Sequence, residues 1–163
     1  MDVKVRLAFD ECAMLRLLNF LARENARILR QKPELPLLYN SRVVYRREKE
    51  EVWSDYLHLL AQGHEDCDAL AAARAGELMA KGWRALYPGE AGYKEARRNQ
   101  LKTIESEVYL ETRSDPKRPG LYHCVVRYRV GQTWYRDDPS ARLGMYGTVP
   151  EATRRRWANQ RRV

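Results

Sequence analysis

The chain predicts an α+β fold, with helices in its first two thirds and an antiparallel sheet in its last third. Three observations carry that expectation. Apolar residues recur at helical spacing before residue 82. From residue 104 the period changes to alternation. Gly131-Gln132, between two alternating runs, suits a two-residue II′ hairpin turn with glycine first. Helices followed by strands, rather than the two alternating, favour α+β over a parallel sheet.

The first predicted helix covers residues 10 to 31. Asp10 is placed to cap it, and Leu15, Leu18, Leu21, Ala22, Ile28 and Leu29 form its apolar side. KPELP (32 to 36) ends it, because proline cannot continue a helix. LLYNSRVVYRRE then reads as a short extended segment. A second helix is expected from Glu50 to Ala61, with Val52, Trp53, Tyr56, Leu59 and Leu60 turned inward, and Gly63 breaks the chain after it.

The third helix is the clearest. Cys67, Leu70, Ala71, Ala75, Leu78 and Met79 fall at i, i+3, i+4, i+8, i+11 and i+12, which is one stripe. Asp66 is the expected N-cap and Gly82 the stop. Residues 87 to 103 are polar and read as a loop or exposed insertion. IESEVYLET (104 to 112) and LYHCVVRYRV (121 to 130) alternate, and SDPKRPG (114 to 120) between them is turn chemistry. WYRDD, after the glycine turn, is the returning strand. Cys12 and Cys124 are expected in the core, and Tyr128, Trp134 and Tyr135 in sheet packing. The expected organisation is an N-terminal helix and arm (1 to 48), a core (49 to 148) and a basic tail (149 to 163).

Composition excludes several classes. Of 163 residues, 44% are hydrophobic and 32% charged, which is neither a disordered nor a membrane composition. LRLLNFL (15 to 21) is broken by Arg16 and Asn19, so neither a signal peptide nor a membrane span is expected. Three cysteines without a CxxC argue for a reducing compartment over a disulfide scaffold or a zinc site. Half of the +8 net charge lies in residues 149 to 163, where Arg154, Arg155, Arg156, Arg161 and Arg162 face only Glu151. Such a tail can bind phosphate backbones, dock on an acidic protein surface, or stay solvated.

The chemistry centres on Cys67. Helix N-termini favour a thiolate, but Glu65, Asp66 and Asp68 oppose it, so activation needs a nearby imidazolium. His58 falls in a helix, His64 near a loop, and His123 in a strand. With residues 131 and 132 as the loop, residues 130 and 133 pair, which sets 125 opposite 138 and 123 opposite 140. Asp138 then lies on the His123 face at a diagonal position, roughly 7–8 Å away at the backbone. Asp137 points the other way, and an odd loop would exchange the two. Pro139 holds Asp138 extended. The same register sets Arg127 opposite Arg136, which calls for flanking acidic groups. Trp134 shares the His123 face and could wall a cleft.

GHEDCDALA, LYHCVV and WYRDDPS, in that order, resemble the transglutaminase-like superfamily, relatives of papain-type cysteine peptidases. The resemblance covers about residues 50 to 145. It implies Cys67 as nucleophile, His123 as base and Asp138 as orienting acid, with the Cys67 backbone N–H serving an oxyanion. It also implies an upstream aromatic that assists the oxyanion, for which Trp53 is the candidate, with Tyr45 behind it. The chain departs from the family where Cys124 and Val125 follow the histidine. RVVYRRE, GHEDCDALAAARAGEL and DDPSARLGM, with the small size, also resemble small proteins encoded among tailed-phage virion genes.

The expected activity is cysteine hydrolysis or acyl transfer at an amide through a thioester, without a cofactor. The alternative is a non-catalytic component of a phage head or tail that keeps the fold as a scaffold. Expected partners are a protein or peptide substrate or neighbouring virion proteins. Nucleic acid is a further reading of the tail, and no membrane is expected. The expected location is the bacterial host cytoplasm or a phage particle.

Overall fold

A computed structural model describes residues 10–47, 52–112 and 122–159. Six α-helices and five strands occur among them: α1 (Glu11–Gln31), β1 (Val44–Tyr45), α2 (Tyr56–Gln62), β2 (His64–Glu65), α3 (Cys67–Lys81), α4 (Tyr93–Arg98), β3 (Glu105–Thr112), β4 (Tyr122–Val130), β5 (Thr133–Asp137), α5 (Pro139–Arg142) and α6 (Glu151–Asn159). Short 3-10 turns cover Leu38–Asn40 and Gly82–Ala85. The molecule is α+β: β3, β4 and β5 form an antiparallel sheet in that order, and β1 and β2 form a two-residue parallel pair. No helix of the described residues is long and apolar enough to cross a membrane.

The centre of the fold is α3. Residues 68 to 78 of this helix are all buried. Its run of alanines has little side-chain volume, so neighbours approach closely on every side. One apolar cluster joins it to α1 and the sheet, through Leu18, Ala22, Ala72, Leu78, Val126 and Val130. A second cluster lies around Leu29, Tyr39, Tyr56, Leu59, Leu70 and Leu143. The N-terminal helix therefore shares the core with the rest of the chain.

The tightest approach is at Gly76, where an added Cβ would stand 2.7 Å from Asn25 Cβ and 2.8 Å from the Ala22 carbonyl oxygen. Gly76→Ala forces α1 and α3 apart, and overpacking of this kind costs about 1–3 kcal/mol. The expected result is a melting temperature several degrees lower, read by calorimetry, despite alanine's better helix propensity. An unchanged or raised melting temperature would contradict the packing.

Several expectations need correction. Helix α2 starts at Tyr56, six residues after Glu50, because Asp55 caps it there and accepts from the His58 N–H. Val52 and Trp53 thus precede the helix, and residues 48–51 lie outside the described residues. The polar stretch 87 to 103 contains a helix, α4, whose Ala96 is buried against the core. Cys12 is exposed, on the outward side of the first turn of α1. Asp66 occupies the N-cap position of α3, but its side chain makes no capping hydrogen bond. SDPKRPG lies outside the described residues.

The sheet follows the predicted register. Val130 pairs with Thr133, Tyr128 with Tyr135, and Arg127 with Arg136. Gly131 supplies the positive φ (+60°) that the tight turn requires. Beside β3, the Asn19 amide of α1 accepts from the Val108 N–H at 2.9 Å and donates to the Val108 carbonyl at 3.2 Å. A side chain thereby takes the place of a further strand on that edge. The outer face of the sheet is a charge ladder. Arg127 pairs with Glu107 at 2.6 Å, Arg129 with Glu105 at 2.5 Å, and Arg136 with Glu111 at 2.5 Å. These carboxylates are the acidic neighbours that the Arg127–Arg136 juxtaposition required.

Candidate active site

The site forms where β5 leaves the sheet. The β4–β5 ladder ends at Val126 and Asp137. Asp138 then turns away in an extended conformation (φ −118°, ψ 91°) to cap α5, with Pro139 in that helix's first turn. Proline has no N–H to continue the ladder. β4 runs on past this point to Tyr122, with β3 on its other side only. In a two-residue hairpin the residues flanking the loop are hydrogen-bonded, so the N–H groups of residues 130, 128 and 126 point towards β5. Cys124 continues that series, and its N–H points out of the uncovered edge towards the Cys67 sulfur.

Alternation puts His123 on the outer face of β4 and Cys124 on the inner face. The Cys67 sulfur interacts with both, because the start of α3 lies beside the strand edge between the two faces. The His123 ring is 1% exposed, and its Nε2 lies 2.9 Å from Asp138 Oδ2. Its Nδ1 has no conventional hydrogen-bond partner among the described residues, which leaves that nitrogen for the thiol. Loose thiol–imidazole geometry is usual before substrate binds. Asp138 is itself held. Oδ1 accepts from the Ala141 N–H at 3.0 Å, and Oδ2 lies 3.3 Å from Arg136 Nη2. Glu111 stands opposite His123 across the β3–β4 ladder. Thus Cys67, His123 and Asp138, named from three short motifs, come together in one place.

The charges follow from this geometry. The Cys67 thiol is brought down to about 5 by hydrogen bonding with the Cys124 thiol, against burial, with His123 and the Cys124 N–H adding to the effect. The Cys124 thiol is pushed strongly up by that same contact and by burial, so it is the member of the pair that keeps its proton. Burial works against the His123 imidazolium, but Asp138 and the Cys67 thiolate outweigh it and raise the ring to about 9. Burial likewise opposes ionisation of Asp138, but its bonds to His123 and the Ala141 N–H hold it below the usual carboxylate range. Thiolate forms above about 5 and imidazolium persists to about 9, so the ion pair occupies the window between.

Asp137 points to the inner face and serves another purpose. Its Oδ2 accepts from Arg74 Nε at 2.8 Å and from the Tyr39 hydroxyl at 2.9 Å. Arg74 is fully buried and also binds Glu77 at 3.0 Å, Glu90 at 3.1 Å and the Ala85 carbonyl at 2.8 Å. Arg142 of α5 reaches Glu90 at 2.5 Å and Asp137 at 2.9 Å. Burial pushes the Glu77 carboxyl up despite Arg74, while the Tyr56 hydroxyl (2.5 Å) and the Leu38 N–H both donate to it. This network ties α3 to the strand end and helix that flank Asp138. The sequence reading missed it, although an arginine amid alanines with a glutamate three residues on was a visible signal. Cys124 was also missed as a site residue.

The remaining candidates are placed as follows. Trp53 stands beside the site, but its indole N–H donates to Asp68 Oδ2 at 2.6 Å. Its proton is committed to the first turn of α3, so the oxyanion role does not fit this arrangement. Trp134 is 45% exposed and pairs with Arg129, six residues from His123 along β4. At about 3.3 Å per residue that is about 20 Å, too far to wall the site; the ring packs instead on Arg127 and Arg129. Tyr45 lies in β1, and its backbone N–H donates to the Leu143 carbonyl. In the tail, Arg154 and Arg155 are exposed and both pair with Glu151. Arg156 lies in α6, its side chain outside the described residues, as are Arg161 and Arg162 entirely. Comparison with family models, curated proteins and solved structures gave no match.

Proposed function

We propose that the protein is a cysteine acyl-transfer enzyme of the transglutaminase-like kind, acting on an amide or ester carbonyl. The observation that carries this reading is the chain of interactions from Cys67 through the buried His123 to Asp138. In this mechanism the Cys67 thiolate attacks the carbonyl carbon. The developing oxyanion is met by the Cys67 backbone N–H at the start of α3, where Asp66 makes no capping bond. The His123 imidazolium, oriented by Asp138, protonates the departing amine or alcohol as the carbon–heteroatom bond breaks. The thioester then passes its acyl group to water or to an amine, with His123 taking the acceptor's proton.

The experiment is acyl capture from p-nitrophenyl acetate. A stoichiometric burst of p-nitrophenol with acetylated Cys67 is expected, and Cys67→Ala removes both. Added cadaverine diverts the acyl group to an amide if the natural acceptor is an amine. A burst that survives Cys67→Ala, or acetylation elsewhere, sinks the proposal. A second reading, a non-catalytic part of an assembly such as a phage virion, draws on α6. Thr153 anchors that helix to the Arg142 carbonyl at 3.1 Å, and it turns arginines outward. On that reading Cys67→Ala leaves assembly intact and removal of residues 151–163 abolishes it.

A further inference from the structure

We infer that Cys67 and Cys124 are a reversible redox pair, closing to a disulfide when the chain meets a hydroperoxide, with Cys67 attacked first and Cys124 resolving it. Two independent features point there. The Cys67 and Cys124 side chains interact although 57 residues separate them in the sequence. They are carried by α3 and β4, which pack on each other, and both contribute to the same apolar cluster. Their exposure is also unequal: Cys67 is partly open at the helix start, while Cys124 is only 4% exposed behind it. An accessible thiol backed by a sheltered one is the arrangement of redox-responsive cysteines. A bridge needs the sulfurs at about 2.05 Å. The two side chains interact and pack in one cluster, and rotation about their side-chain bonds is the movement that closure requires.

The steps balance. The Cys67 thiolate attacks one oxygen of the hydroperoxide and breaks the O–O bond. This gives a sulfenic acid on Cys67 and releases hydroxide or alkoxide, which takes a proton to leave as water or alcohol. The peroxide is reduced by two electrons, and the sulfur is oxidised by two. Conversion of the thiolate to sulfenic acid also removes the negative charge that held the Cys124 proton in place. The Cys124 sulfur then attacks the Cys67 sulfur, the S–S bond forms, and hydroxide from Cys67 leaves with the Cys124 proton as water. Bridging caps the nucleophile and diverts it from the irreversible sulfinic and sulfonic acids. In a reducing compartment, disulfides of this transient kind are the expected ones. The inference rests on Cys67 as an ionised thiol, taken from the proposed function, and not on acyl transfer.

The test treats the full chain with hydrogen peroxide and maps its peptides without reduction. A Cys67–Cys124 crosslink two hydrogens lighter than its separate peptides is expected, together with loss of iodoacetamide labelling at Cys67. Dithiothreitol restores that labelling. In Cys124→Ala, Cys67 is expected to reach sulfinic acid and labelling does not return. The wild-type map stands by itself if that variant folds poorly. Sulfinic acid at Cys67 in wild type to the same extent as in the variant overturns the inference. So does a bridge to exposed Cys12, or an unaltered Cys67 thiol. Labelling before oxidation separates the two readings. If Cys67 labels from about pH 5 but forms no bridge, only the redox inference fails. If it labels only as an ordinary thiol and forms no bridge, both fail.

Discussion

Replacing His123 with alanine is expected to raise the midpoint of Cys67 alkylation by iodoacetamide from about 5 towards the ordinary thiol value of about 8.5. The sign follows from charge. Imidazolium stabilises thiolate, so its loss makes the proton harder to remove, and burial then acts with less opposition. Part of the depression survives, because the Cys124 thiol and N–H remain in place. In wild type the rate climbs around pH 5 and changes again near 9, where His123 gives up its proton. The midpoint is the proper measure, since a thiolate of higher pKa is intrinsically the better nucleophile and partly masks the change in rate at a single pH. On the proposed acyl-transfer reading, turnover of an amide substrate loses a further 10²–10⁴-fold, on the order expected for removal of a general acid–base group. A midpoint that stays where it was would detach Cys67 from His123 and end the triad reading.

The second large effect lies behind the site. Arg74→Leu is expected to cost about 3–5 kcal/mol, the range for breaking a buried ion network by removing one partner. The mechanism is uncompensated charge. Asp137, Glu77 and Glu90 all bind the Arg74 guanidinium in a buried setting, and Arg142 alone cannot replace it. For a chain of this length that corresponds to a melting temperature roughly 10–15 °C lower. Arg74→Lys keeps the charge but loses the planar fork that donates in several directions, so it should fall between wild type and leucine. Because Asp137 adjoins Asp138, the leucine variant should also loosen the His123–Asp138 contact. A leucine variant as stable as wild type would mean that packing, not the network, holds α3 to the strand end.

The outer face of the sheet was legible in the sequence because its causes are local. Gly131-Gln132 sets the turn, the turn sets the register, and the period of two then decides every face. Arg127 against Arg136, Asp138 on the His123 side and Asp137 on the other all followed from that arithmetic. Helices α1 and α3 were legible for a similar reason: the 3.6-residue period and a cap or stop at each end are nearest-neighbour properties. The start of α2 was misread because Val52 and Trp53 fit a helical pattern, while the capping bond from Asp55 decided the boundary.

What the sequence alone determined, then, is which residues share a strand face or helix stripe, together with the α+β order of elements. What only the tertiary structure decided is where the start of α3 comes to rest. It lies against the edge of β4 that β5 abandons, and there one sulfur meets residues from both faces of a strand. That placement made Cys124 a neighbour of Cys67, committed the Trp53 indole to Asp68, and buried Arg74 among three carboxylates. Each of these depends on how distant segments pack into a common volume, and no short-range periodicity carries that information.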